Sequence, residues 1–225
     1  AEAVNPAFVA ENKIPVIRRI SGGGAVYHDL GNLNFSFIVP SRGKAGFAAF
    51  LAPIQEALAT MGIKATLSGR NDLEVDGKKI SGSAQMIFDN KLLHHGTLLV
   101  NLDLERMAAA LRVDEAKFKS RGVASIRSRV ANICELPGGK ADMAQLKEAL
   151  ANFCASGREE LSPQTLEAAR ELAGQKYSAW NWNYGQSPPF NLEKRRRFPW
   201  GDVSIRLDVK KGRIRNCALN GDFFS

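Results

Sequence analysis

Between the stretches Asp72-Leu73-Glu74-Val75 and Lys78-Lys79-Ile80-Ser81 stands the dipeptide Asp76-Gly77. Two residues that tolerate left-handed backbone, set between strand-like segments, commit a chain to an antiparallel hairpin. Residues 34–39, 63–68 and 92–103 also alternate or run apolar as strands do. Residues 14–21 also read as a strand, one that runs into a glycine-rich turn.

Helical periodicity falls between these strands. Residues 1–13 and 45–62 are amphipathic; Gly62 closes the second, and Pro53 marks its first turns or a kink. Residues 103–111 and 114–119 read as short helices. Residues 142–155 open with Asp142 as N-cap, and 162–175 carry Pro163 at the first helical position. The stretch 177–190 turns aromatic, with Gly185, Pro188 and Pro189, and reads as a connector. Two strands joined at Lys211-Gly212 follow. A second domain is expected to begin at about residue 188.

Composition narrows the function classes. The chain has 225 residues, 44% hydrophobic and 24% charged, which excludes a disordered tail or a collagen-like fibre. No apolar run approaches the roughly 20 residues of a membrane span, and the first residues lack a signal-peptide pattern. A cytoplasmic protein is expected. The net charge of +8 suits an acidic partner: a nucleotide, a nucleic acid, an anionic membrane or an acidic protein. Cys134, Cys154 and Cys217 are odd in number and form no CxxC pair, so free thiols are the expectation.

Several clusters carry chemistry. Arg18-Arg19-Ile20-Ser21-Gly22-Gly23-Gly24-Ala25-Val26-Tyr27-His28-Asp29 puts two guanidinium groups before three glycines. Such backbone approaches a ligand closely and points N–H groups at an anion, or else it is a flexible hairpin loop. Neither the P-loop nor the dinucleotide spacing is present. Lys79 precedes the small segment Ser81-Gly82-Ser83-Ala84, where an ammonium can stabilise a phosphate or acyl oxygen. Its alternative is a solvated hairpin lysine. His94 and His95 are adjacent on a strand and face opposite ways, which favours a packed histidine over a metal ligand. Cys134 has no neighbouring base. Arg121, Arg127 and Arg129, and the run Lys194-Arg195-Arg196-Arg197, are either solvated faces or docking surfaces. Trp180, Trp182 and Trp200 stack bases or anchor packing.

Taken in order, residues 18–32, 68–84, 94–104, 120–133 and 180–209 resemble the lipoate–protein ligase A family. The resemblance implies the α/β (α+β) class: a catalytic domain of the biotin/lipoate ligase type over 1–187, with a mixed sheet flanked by helices, followed by a small C-terminal domain over 188–225. It implies ATP-dependent activation of lipoate to lipoyl-AMP, then transfer of the lipoyl group to a lysine of apo lipoyl domains. Those acceptors are E2 subunits of 2-oxoacid dehydrogenases and the glycine-cleavage H protein. A lipoyltransferase working from preformed lipoyl-AMP is the alternative within the fold, and a non-catalytic nucleic-acid- or lipoyl-domain-binding module is the alternative outside it.

Carried onto this sequence, Lys79 is the catalytic lysine. Arg19, Gly24, Ala25, Val26, Tyr27, Asn32, Arg70, Asp72, Ser81, Ala84, His95 and Thr97 line the ATP and lipoyl-adenylate site. Asp72 is the carboxylate associated with Mg²⁺, which enters with ATP as the substrate complex. No tightly bound cofactor, nucleic acid or membrane is implied, and a monomer in the cytoplasm or an organelle matrix is. Family members also carry a strand and a helix ahead of the part that matches Ala1, and their C-terminal domain extends past the part that matches Ser225.

Overall fold

The computed structural model describes residues 4–41, 46–69, 71–111, 129–137, 142–185, 190–199 and 201–222. The chain divides into two compact units. The larger takes Glu2–Lys13 and Ala25–Glu159; the smaller takes Ile14–Gly24 and Glu160–Ser225. The expected helix at 114–119 lies outside the described residues, as do Arg70, Arg121, Arg127 and Trp200.

The larger unit contains α1 (Pro6–Glu11), β1 (Asn32–Pro40), α2 (Phe47–Thr60), β2 (Thr66–Ser68), β3 (Asp72–Val75), β4 (Lys78–Phe88), β5 (Lys91–Leu99), α3 (Leu104–Ala110) and α4 (Met143–Cys154). Its strands form one five-stranded sheet in the order β1-β5-β4-β3-β2, every neighbouring pair antiparallel. Two tight hairpins organise it. Asp76 and Gly77 join β3 to β4 with φ of 50° and 73°, and Asp89 and Asn90 join β4 to β5 with 49° and 57°. Asp, Asn and Gly are the residues that adopt such backbone most readily.

Local signals set the helix ends. Asp142 and Gln145 form a reciprocal capping box on α4. Asp103 accepts from the Glu105 and Arg106 amides at the start of α3. Gly62, at φ 78°, ends α2, and the Ile63 amide reaches back 3.0 Å to the Leu58 carbonyl. Pro53 lies inside α2.

α2 and α4 lay Leu51, Ile54, Leu58, Leu146 and Leu150 against the sheet residues Leu73, Ile80 and Leu98 to make the core. His94 sits in the same face, fully buried, with the Phe50 ring stacked 4.7 Å away and those of Phe35, Phe37 and Phe47 around it. Its Nδ1 lies 3.1 Å from Gln85 Nε2. His94 is therefore a packed core histidine.

The smaller unit holds α5 (Pro163–Leu172), capped by Ser162 and continued by π-helical turns at Ala173–Tyr177 and Asn181–Gly185. It also holds the antiparallel sheet β6 (Leu192–Phe198), β7 (Gly201–Lys210) and β8 (Arg213–Asp222). Lys211 and Gly212, at φ of 50° and 72°, make the expected turn.

Three expectations change here. Residues 14–21 are not a strand, because the Arg18 backbone bonds to side chains instead of to a neighbouring strand. The segment after Tyr177 winds as a π-helical turn over Asn181–Gly185. The basic run 194–197 lies within a strand, β6, which pairs with the expected two-stranded hairpin.

Burial, and secondarily the neighbouring His95, lower the His94 pKa from 6.5 to about 4. The unfolded chain therefore takes up a proton first as pH falls. Stability contributed by neutral His94 is complete above pH 6.5 and is lost progressively towards pH 4, by up to roughly 3 kcal/mol. Urea titrations at pH 7.5 and pH 4.5 should show this loss in the parent and a smaller one in His94→Gln.

Candidate active site

Strict alternation along β4 would put Lys79 on the same side as Ser81 and Ser83, facing the core. The pairing avoids this. Leu73 pairs with Ser81, while Glu74 pairs with Lys79, so Ile80 has no partner across the ladder. That one-residue bulge turns Ile80 into the core, where it is fully buried, and moves Lys79 to the opposite face. A second segment fixes the bulge. The Lys79 amide donates to the Arg129 carbonyl at 2.7 Å, and the Ala131 amide donates to the Lys79 carbonyl at 3.0 Å.

On that face the Lys79 ammonium donates to Asp72 Oδ2 at 2.8 Å. It lies over Gly82: a Cβ built there would stand 2.9 Å from Nζ and 3.0 Å from Cε. The glycine is the seat of the ammonium. Asp72 Oδ1 is buried without a hydrogen-bond partner among the described residues.

Register extends the face. Asp72, Gly82, Thr97 and Asn34 form one row across four strands, and Ala84, His95 and Ser36 form the next. Asn32, two residues before Asn34, lies on the same side and places its Nδ2 3.4 Å from Asn34 Oδ1. The sheet thus collects Asn32, Asp72, Lys79, Ala84, His95 and Thr97 on a single polar face. Ser81 is placed on the other side, between Leu73 and Leu98 and fully buried.

The glycine-rich segment is shaped by its own arginine. Arg19 donates through Nε and Nη2 to the Gly22 carbonyl, at 3.1 and 2.6 Å, and through Nη2 to the Gly24 carbonyl at 2.9 Å. Gly23, at φ 100°, allows this turn; a Cβ there would stand 2.7 Å from Arg19 Nη2. Gly24, Ala25 and Val26 are exposed, whereas Tyr27 is buried.

Tyr27 lines an open cleft of about 1070 Å³, with Gly31, Asn101, Leu102, Arg106 and Cys134 among its walls. The residues of the Lys79 row are not among its walls. Its carboxylates already serve the backbone. Asp29 accepts from the Gly31 and Asp103 amides at 2.8 and 2.9 Å, and Asp103 and Asp142 cap helices. Burial and then the Glu135 charge raise the Cys134 thiol pKa, so it is not an activated nucleophile. Among the described residues no group of three His, Cys, Asp or Glu side chains could hold a metal ion, and no helix is long and apolar enough to cross a membrane. The polar face of the sheet, with its seated ammonium, is therefore the candidate site.

Residues 1–155 match the family model of the lipoyl protein ligase A/B catalytic domain, and 187–225 match that of the bacterial lipoate protein ligase C-terminus. The chain belongs to the lipoate–protein ligase family, a family of enzymes. It is 43% identical to lipoate-protein ligase LplJ of Bacillus subtilis, over 99% of this chain and 70% of the relative. Among solved structures it is similar to Plasmodium falciparum LipL1 in complex with lipoate, with a TM-score of 0.75 and 27% identity, over 99% of this chain and 66% of that one. A bipartite lipoate protein ligase of Thermoplasma acidophilum, described with its E2 lipoyl domain, gives a TM-score of 0.71 and 30% identity, over 85% and 78%. A lipoate-protein ligase A bound with ATP gives 0.68 and 29%, over 82% and 77%.

Sequence reasoning missed two features of this candidate site. Asn34 lies opposite Thr97, and its only signal was the Asn-x-Asn spacing with Asn32. The small residue at Gly82 was visible, but its role as the seat of Lys79 depends on the bulge. Gly82→Ala should leave the melting temperature near that of the parent, because the group displaced is the end of a flexible side chain. Ligase turnover should fall about tenfold or more as the ammonium shifts. Thermal melts run beside a turnover assay on the same preparations check both halves.

Proposed function

We propose that this chain activates lipoate with ATP and transfers the lipoyl group to a lysine of an apo lipoyl domain. The observation that carries the reading is the Lys79 ammonium, seated over Gly82 on a polar sheet face beside Asp72. The family match supports it, as do the relatives described with lipoate, with ATP and with an E2 lipoyl domain.

In the first step a lipoate carboxylate oxygen attacks the α-phosphorus of ATP. The bond from that phosphorus to the bridging oxygen breaks, and pyrophosphate leaves. Lys79 brings the carboxylate and the α-phosphate together and offsets the charge that gathers on the phosphoryl oxygens. In the second step an acceptor lysine amine attacks the acyl carbonyl, the bond to AMP breaks, and the amine proton passes to solvent. Lys79 then polarises the mixed anhydride.

Asp72 holds Lys79 through Oδ2, and its carboxylate would be the protein ligand for a Mg²⁺ brought on the nucleotide's phosphates. Asn32, Thr97, Ala84 and His95 line the same face. Arg19 closes the glycine-rich loop on the lipoate or phosphate side, and Gly24, Ala25, Val26 and Tyr27 cradle the nucleotide and acyl chain. Ser81 contributes backbone only. We take residues 1–187 as the catalytic part and 188–225 as belonging to an accessory domain. The acceptors are E2 lipoyl domains and the glycine-cleavage H protein, met as a monomer in a reducing compartment.

A single-turnover intact-mass assay with ATP, Mg²⁺, lipoate and an apo lipoyl domain tests the reading. The acceptor should gain one lipoyl mass, and Lys79→Ala should slow this on the order of 10²–10³-fold. Gain only from supplied lipoyl-AMP would make the protein a transferase. No gain from either donor, with an acceptor that another ligase can modify, would refute the reading.

A further inference from the structure

Arg18, at the base of the glycine-rich loop, has its backbone bonded to side chains. Its amide donates to Asn183 Oδ1 at 2.7 Å, and its carbonyl accepts from Trp182 Nε1 at 2.8 Å. Its guanidinium Nη2 donates to the Asn183 carbonyl at 3.2 Å. Two neighbouring residues, 164 and 165 positions away in sequence, thus take both backbone groups of one loop residue.

The anchor is itself held. Asn183 Nδ2 donates to the Tyr177 carbonyl at 2.9 Å. The Trp182 ring meets Tyr177 edge-on at 5.5 Å and carries the Lys176 ammonium 4.5 Å from its centre. Both segments wind as π-helical turns, Ala173–Tyr177 and Asn181–Gly185, a geometry that recurs at functional sites. On the far side of Arg18 the loop closes through Arg19, bonded to Gly22 and Gly24. Between Arg19 and Gly24 lie Ile20, Ser21 and the two glycines Gly22 and Gly23, and the glycines give the loop little stiffness of its own.

We infer that Trp182 and Asn183 are positioning residues for the glycine-rich loop. They hold Arg18 so that the backbone of residues 19–24 is set before substrate binds. The loop then pays less ordering entropy on binding, which lowers the KM for the acid and nucleotide substrates and leaves the Lys79 step untouched. This deepens the ligase reading and rests on it for the kinetic part.

The test uses the full chain and three variants. Trp182→Phe removes one N–H, Asn183→Ala removes both side-chain bonds, and Asn183→Asp keeps the acceptor for the Arg18 amide. Hydrogen exchange without substrate should speed up about tenfold in residues 18–24 for the first two variants, the worth of roughly one hydrogen bond. Peptides of the β3–β5 sheet should exchange as in the parent. The KM for lipoate should rise about tenfold with kcat within about twofold, and Asn183→Asp should stay close to the parent. Unchanged exchange in 18–24 would overturn the inference, and so would kcat and KM moving together with faster exchange throughout the chain. If the parent shows no turnover, the ligase reading fails and the exchange result alone decides the inference.

Discussion

One unpaired residue decides which way the chemistry faces. Ile80 has no partner across the β3–β4 ladder, and its insertion reverses the parity of Lys79. Without it, an ammonium would point into the core opposite Val75, where burying an unpaired charge costs far more than a small domain's margin of stability. With it, Ile80 fills the core and Lys79 reaches Asp72. The same extra residue therefore satisfies packing on one face and supplies the charge on the other. Beside the bulge, the Lys79 amide and carbonyl are satisfied by the Arg129 carbonyl and the Ala131 amide.

Close approach is the second constraint, met at three glycines by lack of a side chain. Gly82 makes room for the lysine, and Gly96 for the Phe35 ring and the Ser83 hydroxyl. Gly31 lets the chain pass against the Asn101 carbonyl, which a Cβ would strike. Asn132 closes the same corner, exchanging bonds of 2.8 and 2.9 Å with the Leu102 backbone while almost fully buried.

Features that depend on neighbours in sequence were legible before the fold was known. The turn at Asp76-Gly77, the cap at Asp142, the start at Pro163 and the stop at Gly62 each rest on residues within one turn of each other. Features that depend on distant partners were not. Residues 14–21 have a strand's composition, yet their backbone is claimed by side chains from Trp182 and Asn183. β6 was hidden because cations stand on both of its faces, so no period of two survives in Lys194, Arg195 and Arg196. Opposite facings for His94 and His95 followed from the pleat alone, and the four phenylalanine rings around His94 explain which of them is buried. Family resemblance had picked out Asn32, Asp72, Lys79, Ala84, His95 and Thr97, which the register gathers on one face. The exclusion of the Ser81 side chain from the Lys79 face was not, because it turns on one missing pairing at Ile80.

The central claim is that the bulge aims Lys79 at the reacting atoms. A crystal structure of this chain with a non-hydrolysable lipoyl-adenylate analogue tests it most directly. The account predicts the Lys79 Nζ within hydrogen-bond distance of the analogue's phosphoryl and acyl oxygens, on the face carrying Asp72, Gly82 and Thr97, with Ile80 still in the core. An analogue bound away from that face, with Lys79 bonded only to Asp72, would contradict it.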